Sequence, residues 1–142
     1  MFVSMQSQYN LLYREEGREM FPLYADQGVG LIPWSPLARR RLTRDWDATS
    51  PRGRTDERSR TLYRDTDREI VEQVTAVADA RGVSRAQVAL AWVYTNPQVD
   101  SAIVGVTKAS HLSEALAALD LELTDTEVAQ LVRAYYPREF TA

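Results

Sequence analysis

The 142-residue sequence contains no cysteine, one histidine and a single lysine, Lys108. Without cysteine there is no disulfide, no thiolate metal ligand and no thiol nucleophile, a usage that suits a reducing cytoplasm. The lone histidine, His111, cannot head a multi-histidine metal site or a cysteine–histidine pair, so no metal site is expected. Glycine is sparse at six residues and forms no G-x-G-x-x-G run, which disfavours a Rossmann dinucleotide domain. No apolar stretch approaches the ~20 residues that span a bilayer, and Met1 to Asn10 lacks the basic start and apolar middle of a secretory signal. A cytoplasmic location is the expectation. Basic charge is also short: 17 basic residues against 20 acidic ones give a net charge of -3 and a pI near 5.2. That balance offers no general attraction to nucleic acid or to an anionic membrane.

What is present is the composition of a globular domain, 44% hydrophobic and 26% charged, at a length that suits one hydrophobic core. Short apolar runs alternate with helical patterns, the signature of β-α units around a parallel sheet. A first strand is expected within Phe2 to Leu12, then a helix from Glu15 and Glu16 to Ala25 and Asp26. Gly28 to Trp34 is a continuous apolar segment ahead of Pro36, as in a strand buried on both faces. Ile70, Val74, Val77 and Ala78 fall on one helical face, with Gly82 as a C-terminal cap. Ser84 and Gln87 form a capping box for a helix that Asn96-Pro97 stops. Ala102 to Val106 reads as a third strand, followed by a helix with Leu112, Ala115, Leu116 and Leu119 on one face. Thr124 and Glu127 form a second box, for a last helix burying Val128, Leu131, Val132 and Tyr135.

Three strands are too few to close a parallel barrel, which takes about eight, and open parallel edges invite pairing with another chain. The architecture is therefore α/β and incomplete. It is either a piece of a larger barrel or a small open layer that self-associates or borrows a neighbour.

Gln6 to Leu12, Ile32 to Ala38 and Ile103 to Lys108 form three segments that, in order and spacing, resemble successive landmarks of the aldo-keto reductases. The resemblance covers nearly the whole chain. It implies that residues 1–142 are the C-terminal part of an NADP(H)-dependent (β/α)8 TIM barrel, carrying the sixth to eighth strand-helix units, with the cofactor at the C-terminal ends of the strands. On residue chemistry alone Gln6 reads as a surface strand residue, Trp34 as a core tryptophan and Lys108 as a solvated helix start. By resemblance, Gln6 would hydrogen-bond the nicotinamide carboxamide and Trp34 would lie flat on the nicotinamide ring. Ser35, Pro36, Leu37 and Ala38 would begin the loop around the pyrophosphate. Arg40 stands where relatives commonly have glycine, making the loop bulkier or itself meeting phosphate. Gly105 would permit close backbone approach, Thr107 and Lys108 would bind the 2'-phosphate, and His111 and Glu114 would stand near the adenosine. This pocket implies NADP(H) over NAD(H).

The family reduces carbonyls by hydride transfer while a tyrosine, assisted by a lysine, an aspartate and a histidine, protonates the developing alkoxide. The resemblance places those four upstream of the matched region, so no residue here is assigned a catalytic role. A small carbonyl substrate is expected only with an upstream segment in place. The alternative is a truncated, catalytically inactive fragment acting at most as a nucleotide-binding or interaction module. One further segment needs an explanation: residues 39–64 carry nine arginines against four acids and read as a long loop. Binding RNA or DNA there would need aromatic platforms, and Trp46 and Tyr63 alone are available. A solvated loop beside a cofactor phosphate explains the charge more simply, so no nucleic-acid partner is expected.

Overall fold

The computed structural model describes residues 2–48 and 63–139. Two short parallel strands, β1 (Ser4–Met5) and β2 (Gly30–Leu31), pair in the register Ser4↔Gly30 and Met5↔Leu31. Their ladder outruns the regular strands. Gly30, Ile32 and Trp34 donate their N–H groups to the carbonyls of Val3, Met5 and Ser7 at 2.9 to 3.0 Å, and Gln8 bridges Trp34 in the same parallel sense.

The third strand is where expectation and structure part. In place of a regular strand over Ala102 to Val106 there are two isolated parallel bridges, Leu31↔Val99 and Trp34↔Ile103. The pairing starts earlier than expected and contains a bulge, since the interval Val99 to Ile103 is one residue longer than Leu31 to Trp34. Asp100 fills the irregularity: its N–H donates to the Leu31 carbonyl at 3.0 Å and its carboxylate accepts the Leu31 N–H at 2.8 Å. Gly30 makes room, because a Cβ there would lie 3.0 Å from that carboxylate. Past Ile103 the neighbouring chain has turned away at Ser35 (φ 56°) and Pro36, so Val104 to Val106 have no ladder to join.

The helices follow the sequence signals closely. α1 spans Glu16–Gln27, α2 Arg68–Arg81, α3 Arg85–Tyr94, α4 Ala109–Ala117 and α5 Asp125–Val132. α2 ends on Gly82 at φ 65°, the left-handed cap that glycine adopts without a Cβ penalty. Both capping boxes form, at Ser84/Gln87 and Thr124/Glu127. Short 3-10 turns occupy Ala38–Thr43, Asp65–Asp67 and Ala118–Asp120. Residues 49–62 of the arginine-rich segment lie outside the described residues. Within it, Tyr63 is buried and the Arg41 guanidinium sits 4.1 Å from the centre of the Trp46 ring, so both aromatic groups are engaged by the protein itself.

One sheet face is covered and the other is open. Tyr9, Phe21, Leu31, Val74, Val88, Trp92 and Val93 form the core between the sheet and α1 to α3. Trp34 and Ile103, paired in register on the opposite face, keep 38% and 40% of their surface. The expected apolar face runs along α4 and into the 3-10 turn after it but stays uncovered: Leu112 and Leu116 of the helix and Leu119 of the turn are all about half exposed.

The chain's end is tied to its beginning. The Glu15 carboxylate accepts hydrogen bonds from the Tyr135 hydroxyl (2.5 Å) and the Arg138 N–H (2.8 Å). Burial alone would raise the Glu15 carboxyl; these bonds and Arg18 outweigh it and hold the group below its ordinary value. Arg14 stacks 3.8 Å from the Tyr135 ring centre, and burial lowers its guanidinium to about 10. Arg138 and Asp67 form a buried ion pair at 2.5 Å.

At the surface, Arg81 grips Glu127 with two hydrogen bonds of 2.6 and 2.7 Å and, with the Thr124 cap, holds its carboxyl at about 2. A depressed folded-state value stabilises above the unfolded value of about 4.5, and the contribution disappears as pH falls toward 2. Glu127→Gln keeps the capping geometry and removes the charge. The variant is expected to unfold at lower denaturant than the wild type at pH 6, with the gap closing between about pH 4.5 and 2. A gap that persists at low pH would contradict the ion-pair assignment.

Candidate cofactor site

Two cavities open at the C-terminal ends of the strands. The first, of about 710 Å³, is lined by Gln6 and Trp34 together with Ser7, Gln8, Tyr13, Glu15 and Arg138. Gln6 is exposed, and Gln8, two residues on, bridges Trp34, so Gln6 and Trp34 stand on adjacent strands near the C-terminal end of the sheet. The second, of about 640 Å³, gathers seven of the sequence-derived residues: Leu37, Arg40, Gly105, Thr107, Lys108, His111 and Glu114. Thr43, Arg85 and Ser110 add polar groups to its wall and were not among the residues singled out from sequence, while Ser84, read there as a helix cap, and Ala115, read there on an apolar helix face, line it too. Ser35, Pro36 and Ala38 line neither cavity; they form the turn between the two.

That turn is the most unusual backbone in the protein. Ser35 (φ 56°), Ala38 (φ 49°), Arg39 (φ 52°) and Arg40 (φ 71°) are the four non-glycine residues of positive φ among the described residues. Each such residue costs about 1–2 kcal/mol, and a cluster of them persists only where the surroundings over-determine it. Buried Asn10 supplies part of that constraint. Its side-chain amide donates to the Ser35 carbonyl at 2.9 Å, and its side-chain oxygen accepts the Leu12 N–H at 2.9 Å. Ala38 is fully buried, with its N–H committed to the Ser35 carbonyl at 3.0 Å.

The electrostatics of the second cleft are lopsided. Arg40, Arg85, Lys108 and His111 line it against one acid, Glu114. Among the described residues Arg40 and Lys108 form no ion pair, whereas Arg68, Arg81 and Arg133 elsewhere each have a carboxylate partner. α4 begins here with Lys108 at its N-cap and no side-chain cap; the His111 N–H turns back to the Lys108 carbonyl at 3.1 Å, and the positive end of the helix dipole faces the cleft. Thr107 contacts the His111 ring at 3.4 Å. Gly105 has open space where a Cβ would stand. No three His, Asp or Glu side chains converge among the described residues in a way that could hold a metal, and no helix among them is long and apolar enough to cross a membrane.

A sequence profile of the Aldo/keto reductase family matches residues 1–135. The chain belongs to the aldo-keto reductases. It is 42% identical over 142 residues to the versiconal hemiacetal acetate reductase of Aspergillus parasiticus, covering 96% of this chain and 41% of that protein. It is 41% identical over 138 residues to the aldo-keto reductase AMT2 of Alternaria alternata, covering 94% and 36%. The fold matches the crystal structure of the thermostable aldo-keto reductase Tm1743 in complex with epalrestat. There the TM-score is 0.67 at 24% identity, with 93% of this chain and 39% of the other covered. The chain thus spans about two fifths of the length of these relatives, and its fold matches part of an aldo-keto reductase TIM barrel.

Proposed function

We propose that this chain supplies the cofactor-binding wall of an NADP(H)-dependent aldo-keto reductase, with carbonyl reduction belonging to the complete barrel. The observation that carries the reading is the left-handed turn at Ser35 to Arg40, set against a cleft whose cations Arg40 and Lys108 have no carboxylate partner among the described residues. Strained backbone and unneutralised charge in one place are features that a bound polyanion offsets. Trp34 and Gln6 would serve the nicotinamide, the Ser35–Ala38 turn and Arg40 the pyrophosphate, and Thr107, Lys108 and His111 the 2'-phosphate, with Glu114 beside the adenosine. Bound there, NADPH would supply the hydride that reduces an aldehyde or ketone to an alcohol.

Two of this chain's tyrosines, Tyr9 and Tyr135, are poorly suited to the accompanying proton transfer. Burial raises Tyr9, and burial with the hydrogen bond to Glu15 raises Tyr135 to about 12, both away from neutrality. The 142-residue chain alone is accordingly expected to bind NADPH without reducing a generic aldehyde; steady loss of NADPH absorbance with aldehyde present would overturn this. Phe2 and Val3, 80% and 79% exposed beside the outer edge of β1, favour the additional reading that the chain associates through its sheet edges.

Arg40 gives the sharper test. At φ 71° it occupies a conformation that glycine adopts freely. Arg40→Gly is therefore expected to stabilise the fold by about 1 kcal/mol while weakening NADPH binding. Urea titration and fluorescence titration of the same protein check both halves. A variant that is more stable and binds equally well would remove Arg40 from the site.

A further inference from the structure

We propose that Arg85, absent from the residues read from the sequence, is an additional phosphate-directed arm of the Arg40–Lys108 cleft, held in reserve by Asp45. The inference rests on the nucleotide reading of that cleft. Arg85 is the first residue of α3 and lines the cleft, while Ser84 before it does the capping, so the Arg85 side chain has no task in closing the helix. Its one hydrogen bond among the described residues is Nη2 to the Asp45 carboxylate at 2.6 Å. A guanidinium has five N–H donors, so most of this fork is unused.

The partner is weakly invested as well. The Asp45 side chain is 80% exposed, against 23% for Arg85, so solvent screens the carboxylate end of this single-contact pair. A phosphate offers the bidentate geometry that a guanidinium fork fits and a single exposed carboxylate oxygen does not. Asp45 is nonetheless kept within reach. Its neighbour Trp46 lies under the Arg41 guanidinium, and the Trp46 carbonyl accepts from Arg41 Nη1 at 3.1 Å, which anchors this stretch to the left-handed turn. The Asp45 carboxylate therefore competes with the ligand for Arg85. Removing it raises the positive potential of the cleft, and removing Arg85 lowers it.

The test titrates the full chain, as wild type, Arg85→Gln, Asp45→Asn and the double variant, with 2'-AMP and with ADP. These ligands separate a ribose 2'-phosphate from a pyrophosphate. Arg85→Gln is expected to weaken one of the two by about tenfold, the loss of one charge-assisted bidentate contact. Asp45→Asn is expected to tighten the same ligand about two- to threefold, a gain that misfolding cannot produce. In the Arg85→Gln background Asp45→Asn should change nothing. Binding by wild type with no effect of Arg85→Gln, or weaker binding by Asp45→Asn, overturns this inference alone. Absence of binding of either nucleotide by the wild type overturns it together with the nucleotide reading.

Discussion

Arg138→Ala is expected to lower the stability of the fold by about 3–5 kcal/mol, the cost of leaving one partner of a buried ion pair alone. The Asp67 and Arg138 side chains retain 4% and 5% of their exposure and meet at 2.5 Å. Removing the guanidinium leaves the buried Asp67 carboxylate without its charged partner, and the Arg64 N–H at 3.0 Å is too small a compensation. Domains of this size are stable by about 5–15 kcal/mol in total, so the variant would approach unfolding under mild conditions. The contrast that identifies the mechanism is the double variant Asp67→Ala/Arg138→Ala. With both charges gone the desolvation penalty goes too, and a large part of the loss should return. Urea midpoints for wild type, both single variants and the double give the full cycle. An Arg138→Ala loss below about 1 kcal/mol, the size of an ordinary surface substitution, would show that the pair is not buried in solution.

Lys108→Ala is expected to weaken NADPH binding by about tenfold and NADH binding little, since tenfold corresponds to one charge-assisted contact of about 1.4 kcal/mol. Lys108 has no competing carboxylate among the described residues and stands at the uncapped start of α4, where main-chain N–H groups and the side-chain cation point to the same charge preference. The two cofactors differ by one phosphate, so their ratio cancels any general damage to the site. The expected selectivity also falls with added salt, because an exposed charge is screened. Equal losses for the two cofactors would place Lys108 outside the phosphate pocket.

Much of the fold was legible because the signals were local. Gly82, the Ser84/Gln87 and Thr124/Glu127 boxes and the spacing of Ile70, Val74, Val77 and Ala78 each declare a helix boundary or face within a few residues, and all formed. The third strand was placed late because its register depends on Asp100 replacing a ladder partner of Leu31, an arrangement between residues 69 apart that periodicity does not encode. The site divided in the same way. The landmark segments led to the residues of the second cleft through family resemblance. Arg85 escaped because a residue after a helix cap looks like any solvated charge until the fold sets it opposite Lys108. The left-handed backbone at Ala38, Arg39 and Arg40 was equally hidden, since nothing in three such residue types announces positive φ.

Along β1, the peptide groups of Val3, Met5, Ser7 and Tyr9 turn toward β2, so those of Ser4 and Gln6 turn away from it. Water is a mobile partner for such groups, and an added strand a fixed one. Whatever docks on that side would immobilise the main chain of Gln6 and, with it, the amide beside Trp34. Order at the proposed nicotinamide end can thus be imposed from outside the sheet by a neighbour that would contribute no atom to the cofactor's own contacts.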